Sequence, residues 1–126
     1  VQDGARPLVT VELIDEVLDA ARVYLAAAPA VPVRDTIKVA HDGIVERTPD
    51  RSALFAVQTP QVFAADLLKA ALQSAIADGA TITDDCSAVE RMGKEVHLTD
   101  GSEENIKITT PVDLAIAEAI LQRRGE

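Results

Sequence analysis

Five short groups of charged and hydroxyl-bearing residues stand out along the chain: Asp3 with Arg6, Arg34 with Asp35 and Thr36, Asp50 with Arg51, Thr83 with Asp84 and Asp85, and Asn105 with Lys107 and Thr109. Arginine offers a planar fork to phosphate oxygens and lysine a compact positive charge. An arginine and a lysine among threonine hydroxyls therefore suit a phosphorylated polyol. Each group also has a plain structural reading. Asp50 and Arg51 can form a turn with a surface ion pair, worth at most about 1 kcal/mol. Thr83 and the two aspartates fit a helix N-terminus, where acids favour the macrodipole. Lys107 can be a solvated residue of an alternating strand, and Asp3 can cap a turn or bind a metal.

These groups need elements to hold them. After the turn "DGARP", Thr10 is a plausible N-cap, and Leu13, Val17, Leu18, Ala20 and Ala21 form an apolar stripe through about Arg22, which predicts a helix. The run "YLAAAPAVPV" is ambiguous by periodicity, but its prolines favour an extended segment ending near Val33. Alternating runs Thr36 to Val39 and Ile44 to Thr48 flank His41-Asp42-Gly43; the Asp-Gly pair is a strong hairpin signal. "ALFAVQTP" reads as a further strand stopped by Pro60, with Phe55 packing under the hairpin. A helix from about Ala64 to Ala77 and a short helix capped by Thr83 follow. Strands are expected near Glu95 to Leu98 and Asn105 to Ile108. The last helix has Thr110 and Asp113 as a capping-box variant and Pro111 at its first position. Strands alternating with helices around one inserted hairpin imply a three-layer α/β domain with a mixed sheet. Most of the five groups then fall at strand ends, where open α/β sheets bind ligands.

Composition narrows the function. A length of 126 residues fits one domain, and the 48% hydrophobic content is mostly aliphatic, with only 2% aromatic. The net charge of −9, with scattered cations, argues against a sequence-independent grip on nucleic acid. Cys86 is the single cysteine, so an intramolecular disulfide and a thiolate metal cluster are both excluded, which fits a reducing cytoplasm. No apolar run approaches the ~18 residues that span a bilayer, so no membrane partner is expected. His41 and His97 lack ligand spacing to a second His or Cys. Gly-rich phosphate loops, GxSxG and HExxH are all missing. The opening "VQDGARPLV" has no initiator Met and reads like the end of a buried strand, so the chain is expected to begin inside a larger protein. Residue chemistry alone reaches an α/β domain with a crevice for an anionic ligand.

The order of the motifs goes further. "DGARP", "PVRDTIK", "TPDRSALFAVQTPQVF", "GATITDDCSAVE" and "NIKITTPVDLAIAEAIL" follow one another as in the 2-C-methyl-D-erythritol 4-phosphate cytidylyltransferases, and the chain resembles that family over nearly its whole length. The resemblance implies a nucleotide-diphospho-sugar transferase type of α/β fold with a mostly parallel mixed sheet. It also implies that residues from about 34 to 60 form a protruding dimerisation arm, with the arm of one subunit completing the active site of the other. The implied reaction joins CTP and 2-C-methyl-D-erythritol 4-phosphate and releases pyrophosphate with help from Mg²⁺. By motif, Arg51 and Lys107 correspond to the residues that bind and aim the substrate phosphate. Thr36, Thr59 and Thr83 correspond to hydroxyl contacts, and Asp3 and Arg6 to residues lining the polyol.

The family's Gly-rich loop and later lysine, which cradle CTP, have no counterpart here, so this chain corresponds to the C-terminal portion of a member and is expected to be inactive alone. Gln2 stands where the family commonly has histidine. Two other readings are a non-catalytic binding or dimerisation module of the same fold and a phosphoacceptor receiver domain. The late position of Asp84 and Asp85 argues against the receiver domain.

Overall fold

A computed structural model describes residues 1–125. The first helix, α1 (Val11–Tyr24), starts where the Thr10 side chain accepts from the Leu13 N–H. It buries Leu13, Val17 and Ala21, spaced four apart on one face. Leu25 ends it in the left-handed region (φ 71°), its N–H donating to the Ala21 carbonyl at 2.8 Å.

The ambiguous alanine- and proline-rich run is the central strand, β1 (Ala26–Pro32), with Ala26 to Ala30 all buried. Successive strand residues face opposite sides. Ala27 meets Val17 and Ala21 of α1, while Ala26 meets the packed pair α2 (Ala65–Ala77) and α3 (Asp85–Arg91) through Ala71, Ala88 and Val89. Small side chains on both faces let helices approach from either side, which produces the expected three layers.

Around β1 lie β4 (Phe55–Val57) and β5 (Val62–Phe63), both antiparallel to it, and β6 (His97–Asp100), parallel to it from Ala27↔His97 to Ala30↔Asp100. The sheet is mixed, as expected, but among the described pairings the antiparallel ones outnumber the parallel one. After β1 the chain returns through a hairpin and a short turn instead of a helical crossover, and such a return produces antiparallel neighbours.

The hairpin is β2 (Val39–His41) with β3 (Ile44–Arg47), closed by Asp42 and Gly43 at φ 50° and 76°. Positive φ at both turn positions matches the twist of the strands. It forms a separate two-stranded sheet, and Ile44 is 72% exposed. Thr36 precedes β2 instead of starting it. Phe55, expected to pack under this arm, is 47% exposed, whereas Phe63 packs on the α2 and α3 cluster.

Three local expectations change. Asp84, not Thr83, caps α3: its backbone is extended (φ −153°) and its Oδ1 accepts from Ser87 N at 2.7 Å, leaving Thr83 one residue outside. The strand near 95–98 lies at His97–Asp100. Asn105 to Ile108 is not a strand. Its amides do not run along a neighbouring strand; Asn105 N donates to Ser102 O and Ile108 N to Ala5 O. Helix α4 (Pro111–Arg124) carries the full capping box of Thr110 and Asp113 with Pro111 at its start. Its Ala117 and Ile120 pack on Leu8, Ile106 and Ile108, while Leu114 and Ile116 are exposed. None of the described helices is long and apolar enough to cross a membrane.

Candidate functional site

Four segments converge around the Thr59 turn: residues 1–8, Gln58–Gln61, the N-terminus of α3 and the loop 101–107. Asp3 is the hub. Its Oδ1 accepts from Ala5 N at 3.1 Å, closing the turn that Gly4 continues, and its own N–H donates to Thr59 Oγ1 at 3.1 Å. Its Oδ2 lies 3.4 Å from Lys107 Nζ. Arg6 crosses to the same loop and donates from Nη1 to the Asn105 carbonyl at 2.6 Å. Asp3, Arg6, Thr59 and Lys107, chosen from three distant motifs, thus meet in one place. A cleft of about 270 Å³ opens beside them, lined by Asp3, Thr59, Gln61, Asp84 and Asp85.

The charges are tuned by these contacts. The Ala5 N–H holds the Asp3 carboxyl below its ordinary 3.8, against partial burial and with help from Lys107. Burial pushes the Arg6 guanidinium down, opposed by Asp3; an arginine remains charged at neutral pH regardless. Lys107 is half exposed, so its ammonium is free to exchange a long contact with Asp3 for a stronger one with a phosphate.

The other two site candidates of the arm stand apart. Arg51 begins a 3-10 turn (Arg51–Ala53) and donates from Nη1 to the Arg34 carbonyl at 2.7 Å. The alternative surface ion pair with Asp50 is not formed, because Asp50 caps the turn by accepting from Ser52 N and Oγ. Thr36 is exposed between β1 and β2. Arg34 pairs with Glu103, which ties the arm's base to the loop carrying Lys107. Among the described residues no hydrogen bond or ion pair joins Arg51 or Thr36 to Asp3 or Lys107. Thr83 is exposed beside the cap of α3, its Oγ1 2.9 Å from Ser87 Oγ.

Two residues that carry the geometry escaped sequence reasoning, Gln58 and Gln61. They bracket the cis Thr59–Pro60 peptide. Gln61 accepts from Cys86 N at 3.1 Å and donates to Asp84 Oδ2 at 3.1 Å, fastening α3 to the turn. The only available signal was a pair of amides flanking a Thr-Pro step. Cys86 itself is no nucleophile, since burial and the nearby Asp84 charge push its thiol up to about 12. His97 stacks on Tyr24 at 3.7 Å, away from the cluster. No group of three metal-ligating side chains occurs among the described residues.

Several carboxylates sit below their ordinary range in the folded chain. For Asp84, burial pushes upward but hydrogen bonds from Ser87 and Gln61 outweigh it; for Glu104, Arg123 and then Arg124 pull downward. A lowered folded-state value means stability that is complete above the unfolded values of 3.8 and 4.5 and is lost as pH falls through the folded ones. The melting temperature is therefore expected to hold steady from neutrality to about pH 5 and to drop steeply below about pH 4. A melting temperature that stays level through that acid range in differential scanning calorimetry contradicts this.

Comparison with known proteins is consistent across sequence and structure. A family model described as 2-C-methyl-D-erythritol 4-phosphate cytidylyltransferase matches residues 1–123. The protein of that name from Symbiobacterium thermophilum is 54% identical over 126 residues, covering 99% of this chain and 53% of that protein. Its counterpart from Caldanaerobacter subterraneus subsp. tengcongensis is 53% identical over 124 residues, covering 98% and 55%. The crystal structure of 2-C-methyl-D-erythritol 4-phosphate cytidylyltransferase from Thermus thermophilus superposes with a TM-score of 0.88 at 39% identity, over 97% of this chain and 60% of that one. The chain spans about half the length of the curated relatives it matches.

Proposed function

The chain belongs to the 2-C-methyl-D-erythritol 4-phosphate cytidylyltransferase family, and from that premise we propose that it supplies the polyol-phosphate side and the dimer arm of such an enzyme. The reaction is attack by a phosphate oxygen of 2-C-methyl-D-erythritol 4-phosphate on the α-phosphorus of CTP. A new oxygen–phosphorus bond forms, the bond from the α-phosphorus to the bridging oxygen breaks, and pyrophosphate leaves. Phosphoryl chemistry of this kind depends chiefly on positioning and on cations that offset developing charge.

The observation that carries the reading is the meeting of Asp3, Arg6, Thr59 and Lys107 beside a cleft. Lys107 takes the substrate phosphate, and Asp3, which holds that ammonium in the free protein, turns with Arg6 toward the polyol hydroxyls. Thr59 offers a hydroxyl from the cleft wall, and Thr83 one from the residue before Asp84 of that wall. Arg51 and Thr36 reach the same phosphate from the arm of a second copy. An isolated hairpin is marginally stable in water, and this one carries exposed Ile37, Ile44 and Val45, a surface suited to burial in a homodimer.

No group of three metal-ligating side chains occurs among the described residues, and in the free protein both carboxylate oxygens of Asp3 are engaged, one by Ala5 N–H and one by Lys107. No residue here is assigned to Mg²⁺, which would offset charge on the CTP phosphates. A single reduced thiol, Cys86, agrees with a cytoplasmic enzyme.

The test is a coupled pyrophosphate-release assay on a full-length protein containing this chain. Release is expected only when CTP and 2-C-methyl-D-erythritol 4-phosphate are both present, and the 126-residue chain alone is expected to release none. Comparable turnover by the isolated chain would overturn the division of labour, and no release by the full-length protein would overturn the activity.

A further inference from the structure

Gln58 and Asn105 are polar side chains enclosed almost completely, 6% and 1% exposed, and they hold each other. Gln58 Oε1 accepts from Ser102 N at 3.2 Å and from Asn105 Nδ2 at 3.2 Å, while its Nε2 donates to the Ser102 carbonyl at 2.8 Å. Asn105 Nδ2 also donates to the Thr59 carbonyl at 3.0 Å. Because that nitrogen faces two oxygens, the Asn105 amide has one orientation only. The backbone carbonyl of Asn105 in turn receives Arg6. The loop is pinned from its other side as well. Gly101 N donates to the Ala30 carbonyl at 2.8 Å, and a Cβ on Gly101 would lie 2.7 Å from Gln58 Oε1 and 3.0 Å from the Ala30 carbonyl. The segment Gly101 to Asn105 is thus threaded between the β1 backbone and one buried amide, and Lys107 follows two residues later.

We propose that Gln58 is a positioning residue: it clamps the Gly101–Asn105 segment to the Thr59 turn and so fixes where the Lys107 ammonium meets the substrate phosphate. The inference rests on the reading of Lys107 above, and it adds a residue that touches no substrate. Asn105 Oδ1 is buried without a partner, so the hold on the loop lies in the Gln58 amide, whose oxygen and nitrogen are both engaged; in a low-dielectric setting such bonds are strong, and a small displacement of a charged group in a site costs much of its effect.

A double-substitution cycle in the full-length protein tests it. Gln58→Met, which keeps length and removes the amide, is expected to raise KM for 2-C-methyl-D-erythritol 4-phosphate about tenfold and to leave KM for CTP within about twofold. In a Lys107→Ala background the same change is expected to alter KM less than about twofold, since the group it positions is gone. Equal losses in both backgrounds, or an unchanged KM for the phosphorylated polyol, overturn the proposal. Gln58→Glu, which keeps shape and loses the donor to Ser102, carries the same cycle where Gln58→Met does not fold. If the unsubstituted protein shows no turnover, the reading of the site fails and the clamp is judged separately. The ¹⁵N signal of the Lys107 ammonium must then shift in Gln58→Met, and an unshifted signal overturns the clamp.

Discussion

Lys107→Ala in the full-length protein is expected to lower kcat/KM for 2-C-methyl-D-erythritol 4-phosphate by about 10²–10³-fold, with Arg51→Ala close behind, while KM for CTP stays within about twofold. The size follows from the job assigned. A cation that binds the attacking phosphate acts by fixing where its oxygen sits relative to the α-phosphorus, and misplacing reacting groups by about 1 Å costs on the order of 10²-fold. Lys107 is the stronger case because its position is set by Asp3 at 3.4 Å and by the loop pinned at Gln58. Arg51 is held by one hydrogen bond to the Arg34 carbonyl, so its fork is aimed less rigidly before substrate arrives. Steady-state kinetics with each substrate varied in turn separate the two effects. Unchanged constants in both variants would remove Arg51 and Lys107 from the phosphate site, and a selective loss of CTP binding would move them to the other substrate.

Local signals were legible wherever a short stretch determines its own conformation. The capping box of Thr110 and Asp113 with Pro111, the Thr10 cap of α1, and the Asp42-Gly43 turn all form as read. Signals that depend on distant partners were not. Asn105 to Ile108 alternates like a strand, yet the Asn105 side chain is drawn inward to Gln58, 47 residues away, and the ladder never forms. Thr83 was expected to cap α3, and Asp84 caps it instead: its Oδ1 accepts from Ser87 N, and Gln61, 23 residues earlier, donates to its second oxygen. Gln58 looked like an ordinary strand residue because its partners, Ser102 and Asn105, have no local trace. The parallel majority expected of the sheet came from the family resemblance, and within this chain the return through the arm reverses it. For the site, residue chemistry alone reached an anionic crevice, and the order of five motifs selected the candidates for it. Of the seven candidates, Asp3, Arg6, Thr59 and Lys107 come together, with Thr83 next to the cleft's wall. Arg51 and Thr36 do not join them among the described residues of one chain, so their proposed role depends on a second copy.

That last feature yields the second large effect. If Arg51 and Lys107 of different copies serve one phosphate, a dimer of one Arg51→Ala chain with one Lys107→Ala chain has one site missing both cations and one site missing neither. Random pairing of the two variants in equal amounts makes about half of the dimers mixed, each with one intact site, so about one quarter of unsubstituted activity returns from two nearly inactive parents. Neither variant alone recovers anything on dilution and reconcentration. The measurement is pyrophosphate release with CTP and 2-C-methyl-D-erythritol 4-phosphate after the two full-length variants are co-expressed and purified through distinct tags. Recovery to about a quarter in the unfractionated mixture, and to about half in the doubly tagged dimers, is the predicted result. Activity that remains at the level of the parents in the doubly tagged dimers would show that Arg51 and Lys107 do not serve one phosphate across the arm, contradicting the account at its centre.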